Sequence, residues 1–192
     1  HIPMLEAFDE LGIKPSVVVG CSMGALVAAG YACGMSGREL REQALRLLSN
    51  RVDTMRYVFS TRQSRLIDLV SIKSLSALHL NGERVADLAL PDHLPANLED
   101  APIPLRIVAT DYESMEERVL QTGSIVKAVA ASIAIPGLIT APHIDGRLHV
   151  DGGITNPVPF NHARAGADLV AAIDVTGRPR MTNGRNPGSI EL

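Results

Sequence analysis

Val17-Val18-Val19-Gly20-Cys21-Ser22-Met23-Gly24-Ala25-Leu26-Val27-Ala28-Ala29-Gly30 is the stretch on which the fold turns. Three β-branched residues in succession predict a short strand over 16–20, buried on both faces as in a parallel sheet. The alanine- and leucine-rich run that follows predicts a helix over 23–33, closed by Gly34. Between them stands Gly20-Cys21-Ser22-Met23-Gly24, a Gly-x-Ser-x-Gly pattern that also occurs as an ordinary tight turn. A strand before it and a helix after it select the other reading, in which a sharp turn leaves the serine exposed in strained backbone. The small residues Gly20 and Gly24 permit that turn and close packing of helix on strand. A serine hydroxyl is a poor nucleophile until a base takes its proton. The helix N-terminus favours negative charge close by, and the Met23 backbone N–H is placed to donate to an oxyanion. Ser22 is therefore the candidate nucleophile.

Outward from this stretch, strands and helices alternate. A helix is expected over 3–11, with Pro3 in its first turn, Met4, Leu5, Phe8 and Leu11 on one face, and Gly12 as C-cap. Another is expected over 38–48, burying Leu40, Ala44, Leu47 and Leu48. Residues 50–102 mix arginines (Arg51, Arg56, Arg62, Arg65) with apolar pieces and Pro91, Pro95 and Pro102. They read as helices and loops lying over a sheet, with basic side chains available to anionic head groups or to solvent. Strands are expected over 103–110, 117–121 and 147–150, and a last buried strand over 168–175. A helix over 124–132 takes Ser124 as its N-cap, and the polar tail 177–192 reads as a loop. The order of elements predicts an α/β fold with a mostly parallel central sheet. Sites in such sheets form at the carboxyl ends of strands.

The 192 residues, 46% hydrophobic, suffice for one sizeable core and one domain over 1–192. A net charge of −3, no basic stripe and 3% aromatic residues argue against a nucleic-acid partner. Cys21 and Cys33 have neither disulfide nor metal spacing and read as buried free thiols. No metal and no cofactor is expected. No run of about 20 apolar residues appears and no secretory signal is visible. A cytoplasmic protein with at most peripheral membrane contact is expected. The opening His1-Ile2-Pro3 reads as a point inside a domain, with residues expected before it.

The base is sought among the acids and histidines. Asp151 ends a short strand, and Gly152 and Gly153 free the backbone to present its carboxylate at close range; Asp-Gly-Gly is also ordinary turn chemistry. His149 shares the strand and side-chain parity of Asp151. His162 follows near a helix start, and His143 lies in a loop after Pro142. His1, His79 and His93 have no motif around them. None of the six stands in the loop signature of a triad histidine, which leaves a direct Ser22–Asp151 dyad as the leading scheme. A conventional triad esterase using His162 or His149 is the alternative. Asp111, at the end of a predicted strand, reads as a turn cap rather than a second base.

Four segments together resemble the patatin-like phospholipases: Val17 to Ala25, Ile103 to Asp111, Ala128 to Gly137, and Val150 to Pro159 with its Asp151-Gly152-Gly153-Ile154-Thr155-Asn156-Pro157 core. The likeness extends over most of the chain. It implies a three-layer α/β/α sandwich and a Ser–Asp dyad, with Ser22 as nucleophile and Asp151 as general base and acid. It implies no triad histidine and no metal, and hydrolysis of carboxylic esters in glycerolipids or related acyl esters. It also implies a first strand and a Gly-Gly-Gly-x-Arg-Gly oxyanion loop before the helix at 3–11, so further oxyanion donors are expected upstream of His1. The chain as it stands lacks that loop, which keeps open a catalytically impaired or regulatory member of the same fold.

Overall fold

The computed structural model describes residues 1–49, 80–164 and 167–176. Helix α1 (Ile2–Glu10) leads to strand β1 (Val18–Cys21), which passes through Ser22 alone into helix α2 (Met23–Ala32). Helix α3 (Gly37–Ser49) follows. After the region at 50–79, which lies outside the described residues together with its four arginines and His79, come β2 (Leu80–Asn81) and helix α4 (Gly82–Ala89). The second half holds β3 (Leu105–Asp111), β4 (Glu117–Leu120), helix α5 (Ile125–Ser132), β5 (Ile139–Thr140), β6 (His143–Ile144) and β7 (Arg147–Asp151).

The caps explain several boundaries. Gly12 at φ +68° and Gly34 at φ +106° sit just past α1 and α2 in the left-handed region that glycine enters freely. At the end of α2, Gly34 N–H donates to Tyr31 O and Met35 N–H to Gly30 O, closing the last turn. The Ser124 hydroxyl accepts from Lys127 N–H and starts α5.

The fold is α/β, and its sheet is mixed. β1 and β3 pair in parallel, while β3–β4, β3–β7 and β6–β7 are antiparallel. The expectation of a mostly parallel sheet is corrected by the short connections after Asp111 and Ile144, which return the chain beside the strand it has just left. Asp145 (φ +52°) and Gly146 (φ +78°) form the tight turn of the second return. β3 is the shared strand. Its residues 107–110 pair with β4 on one edge; on the other edge, residues 105–108 pair with β1 and residues 109–111 with β7.

Leu105, Ile107 and Ala109 of β3 pack into the main core. There they meet Ala25, Ala28, Ala29 and Ala32 of α2, Ala86 of α4, and Ile125, Ala128, Val129 and Ala131 of α5. Small side chains on α2 let its backbone lie close to the sheet. A second cluster, Leu5, Tyr31, Met35 and Leu40, joins α1, α2 and α3. Asp9 ties the same three helices together, accepting from Tyr31 Oη at 2.8 Å and from Gly37 N–H at 2.6 Å. Within the expected cover at 50–102, the described part contributes α4 and Leu98, both in the main core.

Two expectations about strands fail. Val17, Val18 and Val19 are half-buried rather than buried on both faces. β1 has one strand neighbour among the described residues, and its other edge borders a cavity of about 540 Å³. The run 168–175 forms no strand: Leu169 and Val175 are 85% and 60% exposed. Residues 168–173 line the cavity across from β1, and a β-branched run without a hydrogen-bonded neighbour makes no ladder.

Candidate active site

Strand register assembles the site. Cys21, the last residue of β1, pairs with Val108, and Asp151, the last residue of β7, pairs with Ala109. Because β1 and β7 run toward each other along the same edge of β3, their carboxyl ends meet. The Ser22 hydroxyl donates to Asp151 Oδ2 at 2.7 Å. Asp151 Oδ1 accepts the Gly153 N–H at 2.7 Å, which fixes the carboxylate plane and turns Oδ2 toward Ser22. Asp151 is 8% exposed.

Ser22 has φ +53° and ψ −125°, a conformation that an L-residue occupies at a cost of about 1–3 kcal/mol. It forces the chain from strand to helix without a linker. Met23 is the first residue of α2, so its N–H has no acceptor within the helix and points outward from the helix N-terminus. The expected glycines divide by role. A Cβ on Gly20 would stand 2.6–2.7 Å from Gly24 O, Ala25 Cα and Ala28 Cβ, so only glycine lets α2 approach β1. A Cβ on Gly24 would make ordinary contact with the His1 ring at 3.5 Å, so Gly24 is not required for packing. A Cβ on Gly152 would lie 2.2 Å from Val108 O, and one on Gly153 3.0 Å from Asp151 Oδ1. Neither has positive φ; closeness to the β3 backbone, rather than backbone freedom, requires Gly152, while a Cβ on Gly153 would press on the Asp151 carboxylate.

Among the described residues no histidine ring reaches Ser22 or Asp151. His149 is 2% exposed, and its Nδ1 lies 2.9 Å from Arg147 O. The His162 ring meets the Glu117 carboxylate on β4. His143 and His93 are exposed, and His1 lines the cavity beside Gly24. Among the described residues no hydrogen bond joins a histidine ring to Ser22 or Asp151. Asp111 is a turn cap, as expected. It accepts from Glu113 N–H (3.0 Å) and Ser114 N–H (3.1 Å) and pairs with Arg147 Nε at 3.0 Å. The Ser114 N–H above all, with the Glu113 N–H and the Arg147 guanidinium, holds its carboxyl below the usual range against the opposing effect of burial.

Three hydroxyls at the site were not singled out in the sequence. Ser132, at the end of α5 and 0% exposed, accepts the Ser22 N–H at 2.8 Å and donates to Val108 O at 2.6 Å. Thr110 donates to Asp151 O at 3.0 Å and lies 2.9 Å from the Thr155 hydroxyl. Their signal is a lone hydroxyl within an apolar run, as in Ala130-Ala131-Ser132-Ile133, which must find partners once buried. Both cysteines are buried and free. Burial, then the Asp151 and Glu117 charges, pushes the Cys21 thiol up to about 12. Among the described residues no three His, Cys, Asp or Glu side chains gather as a metal site, and no helix is long and apolar enough to cross a membrane. The 540 Å³ cavity reaches Cys21 and Gly24 but is not lined by Ser22 or Asp151.

The sequence model of the patatin-like phospholipases matches residues 1–164. An uncharacterized NTE family protein of Mycobacterium tuberculosis is 33% identical over 179 residues, which are 92% of this chain and 45% of that protein. Human patatin-like phospholipase domain-containing protein 6 is 29% identical over 178 residues, 91% of this chain and 12% of that protein. The chain thus spans less than half the length of these relatives. Among solved structures, VipD from Legionella pneumophila covers 80% of this chain and 43% of its own, with 17% identity and a TM-score of 0.43.

Proposed function

Because the chain belongs to the patatin-like phospholipase family, we propose that it hydrolyses carboxylic ester bonds of lipid acyl esters through a Ser22–Asp151 dyad and an acyl-enzyme. The observation that carries this reading is the 2.7 Å hydrogen bond from Ser22 Oγ to Asp151 Oδ2.

Asp151 takes the Ser22 proton as Oγ attacks the acyl carbonyl. The oxyanion develops beside the Met23 N–H at the N-terminus of α2, where backbone donors favour negative charge. Asp151 then protonates the departing alcohol, leaving the acyl group esterified to Ser22. Water, deprotonated by Asp151, attacks the acyl-enzyme and releases the carboxylic acid, and Ser22 recovers its proton. The Gly153 N–H holds Oδ1 throughout, so Oδ2 alone exchanges protons. Three exposed apolar side chains support an acyl substrate: Met23, next to Ser22 in the chain; Ile154, just past Gly153; and Ile135, next to Ala134, whose carbonyl accepts the Asp151 N–H. Contact with a lipid surface on this side is peripheral.

The test is hydrolysis of a short p-nitrophenyl ester, together with labelling by a fluorophosphonate. The wild-type chain is expected to turn over and to label at Ser22. Ser22→Ala and Asp151→Asn are each expected to reduce hydrolysis to background. Retained turnover in either variant overturns the dyad. An unlabelled wild-type chain favours a regulatory, non-hydrolytic member of the family.

A further inference from the structure

We propose that Ser132 is a positioning residue for the nucleophile: its buried hydroxyl holds the Cys21–Ser22 peptide plane, and with it the direction of Ser22 Oγ and of the Met23 N–H. This rests on the reading of Ser22 as nucleophile.

The polarity of the arrangement is forced. A hydroxyl has one proton, and that of Ser132 goes to Val108 O at 2.6 Å. Its lone pairs are then left to accept, and the Ser22 N–H arrives at 2.8 Å. Val108 is the β3 partner of Cys21, so one hydroxyl bridges the end of β1, the middle of β3 and the end of α5. Few other side chains serve here. Alanine, valine or leucine leaves both the Ser22 N–H and Val108 O without this partner in a site from which water is excluded, since Ser132 is 0% exposed. A carboxylate or amide does not fit the space of one hydroxyl at the same two distances.

The consequence reaches the reacting atoms. Ser22 is held at φ +53°, a value that backbone adopts only when its surroundings impose it. The peptide group on its N-terminal side is gripped by Ser132, and its side chain by Asp151. Releasing the first grip lets the turn relax, moving Oγ relative to the acyl carbonyl and swinging the Met23 N–H out of line. Misplacement by about 1 Å is enough to cost about 10²-fold in rate.

The test compares the full wild-type chain with Ser132→Ala and Ser132→Cys. It uses p-nitrophenyl butyrate kinetics, the rate of fluorophosphonate labelling and thermal melting. For Ser132→Ala, measured below its melting transition, kcat is expected to fall about 10²-fold with KM within about threefold. Labelling is expected to slow in parallel. A lowered melting temperature with kcat and labelling within about twofold of wild type makes Ser132 merely structural and overturns the proposal. If the alanine variant does not fold, Ser132→Cys decides. Its longer bond and poorer acceptor are expected to lower kcat about tenfold or more, and a wild-type kcat overturns the proposal. Failure of the underlying reading looks different. Either the wild-type chain neither labels nor hydrolyses, or Ser22→Ala stays active; in both cases the role assigned to Ser132 falls with that of Ser22.

Discussion

Cys21 and Asp151 lie one residue apart on the same edge of β3, opposite Val108 and Ala109. β1 arrives parallel to β3 and β7 arrives antiparallel, so both end at this point, and Ser22, next after Cys21, comes within a 2.7 Å hydrogen bond of Asp151, 129 residues on in the sequence. The two sides are tied to the same strand again by hydroxyls, Ser132 to Val108 O and Thr110 to Asp151 O. The geometry of the Ser22–Asp151 pair is thus a property of β-strand register, and substitutions that push the strand ends off β3 strike the candidate site as well as the fold.

Gly152→Ala tests that link. The new Cβ would stand 2.2 Å from Val108 O and 3.0 Å from Cys21 Sγ, with backbone as the nearest obstacle. A loss of about 3 kcal/mol is expected, which lowers the melting temperature by about 6–12 °C in a domain of this size, together with a fall in esterase activity. Gly20→Ala, 2.6 Å from Gly24 O, is expected to behave alike. Gly24→Ala, in ordinary contact with the His1 ring, is expected to melt within about 2 °C of wild type. Equal melting temperatures for all three contradict the packing account.

His162→Gln separates the dyad from a histidine triad. The His162 ring is engaged with Glu117, and Arg106 donates to the His162 carbonyl. The variant keeps that carbonyl and loses the ring contact, which is partly exposed and worth about 1 kcal/mol or less. Esterase kcat/KM is expected to stay within about threefold of wild type. A drop to the level of Ser22→Ala would restore His162 as the base.

Cys21 adjoins Ser22, the proposed nucleophile, but is expected to be chemically silent. Its thiol is pushed up to about 12 by burial first and then by the Asp151 and Glu117 charges, and burial raises Cys33 as well. The reactive species is the thiolate. The folded protein at pH 8 is therefore expected to take up no iodoacetamide over minutes, and the denatured chain to be alkylated at both cysteines. Mass spectrometry of the two samples checks this; rapid native alkylation at Cys21 contradicts it.

Much of the site was legible in the sequence because its signals are local. Strand, turn and helix around Ser22 follow from Val17-Val18-Val19, two glycines and an alanine-rich run. Asp151 stands out because the close approach of the chain to β3 demands the glycine after it. The sheet was harder to read. Strand direction depends on the connections, and Asp145-Gly146, a strong hairpin dipeptide, sits in an unremarkable run of loop residues before a short strand. The run 168–175 has the β-branched composition of a buried strand, yet composition does not supply a neighbour, and none of the described strands pairs with it. Ser132 escaped because its importance lies in two backbone groups, Ser22 N–H and Val108 O, that are remote in sequence and carry no side-chain signature.

Asp111 sets an acid limit on stability. Its carboxyl is held below its ordinary value of 3.8, chiefly by the Ser114 N–H, then by the Glu113 N–H and the Arg147 guanidinium acting against burial. A carboxyl whose folded pKa lies below its unfolded value binds its proton more readily when the chain is unfolded. Its contribution to stability is therefore complete above 3.8 and is lost as pH falls through the lowered native value. Asp111→Asn keeps an oxygen for the two N–H donors but loses the charge that meets Arg147. The variant is expected to melt below wild type at pH 7, and the gap is expected to close as pH falls through the lowered native value, below which both side chains are neutral. Thermal melting of both proteins from pH 7 downward measures the gap. If it stays constant over that range, the charge on Asp111 is not what stabilises this turn. His149 is buried two residues before Asp151 and adds a positive charge near Asp111 when protonated, so the same series in His149→Gln separates its part from that of Arg147.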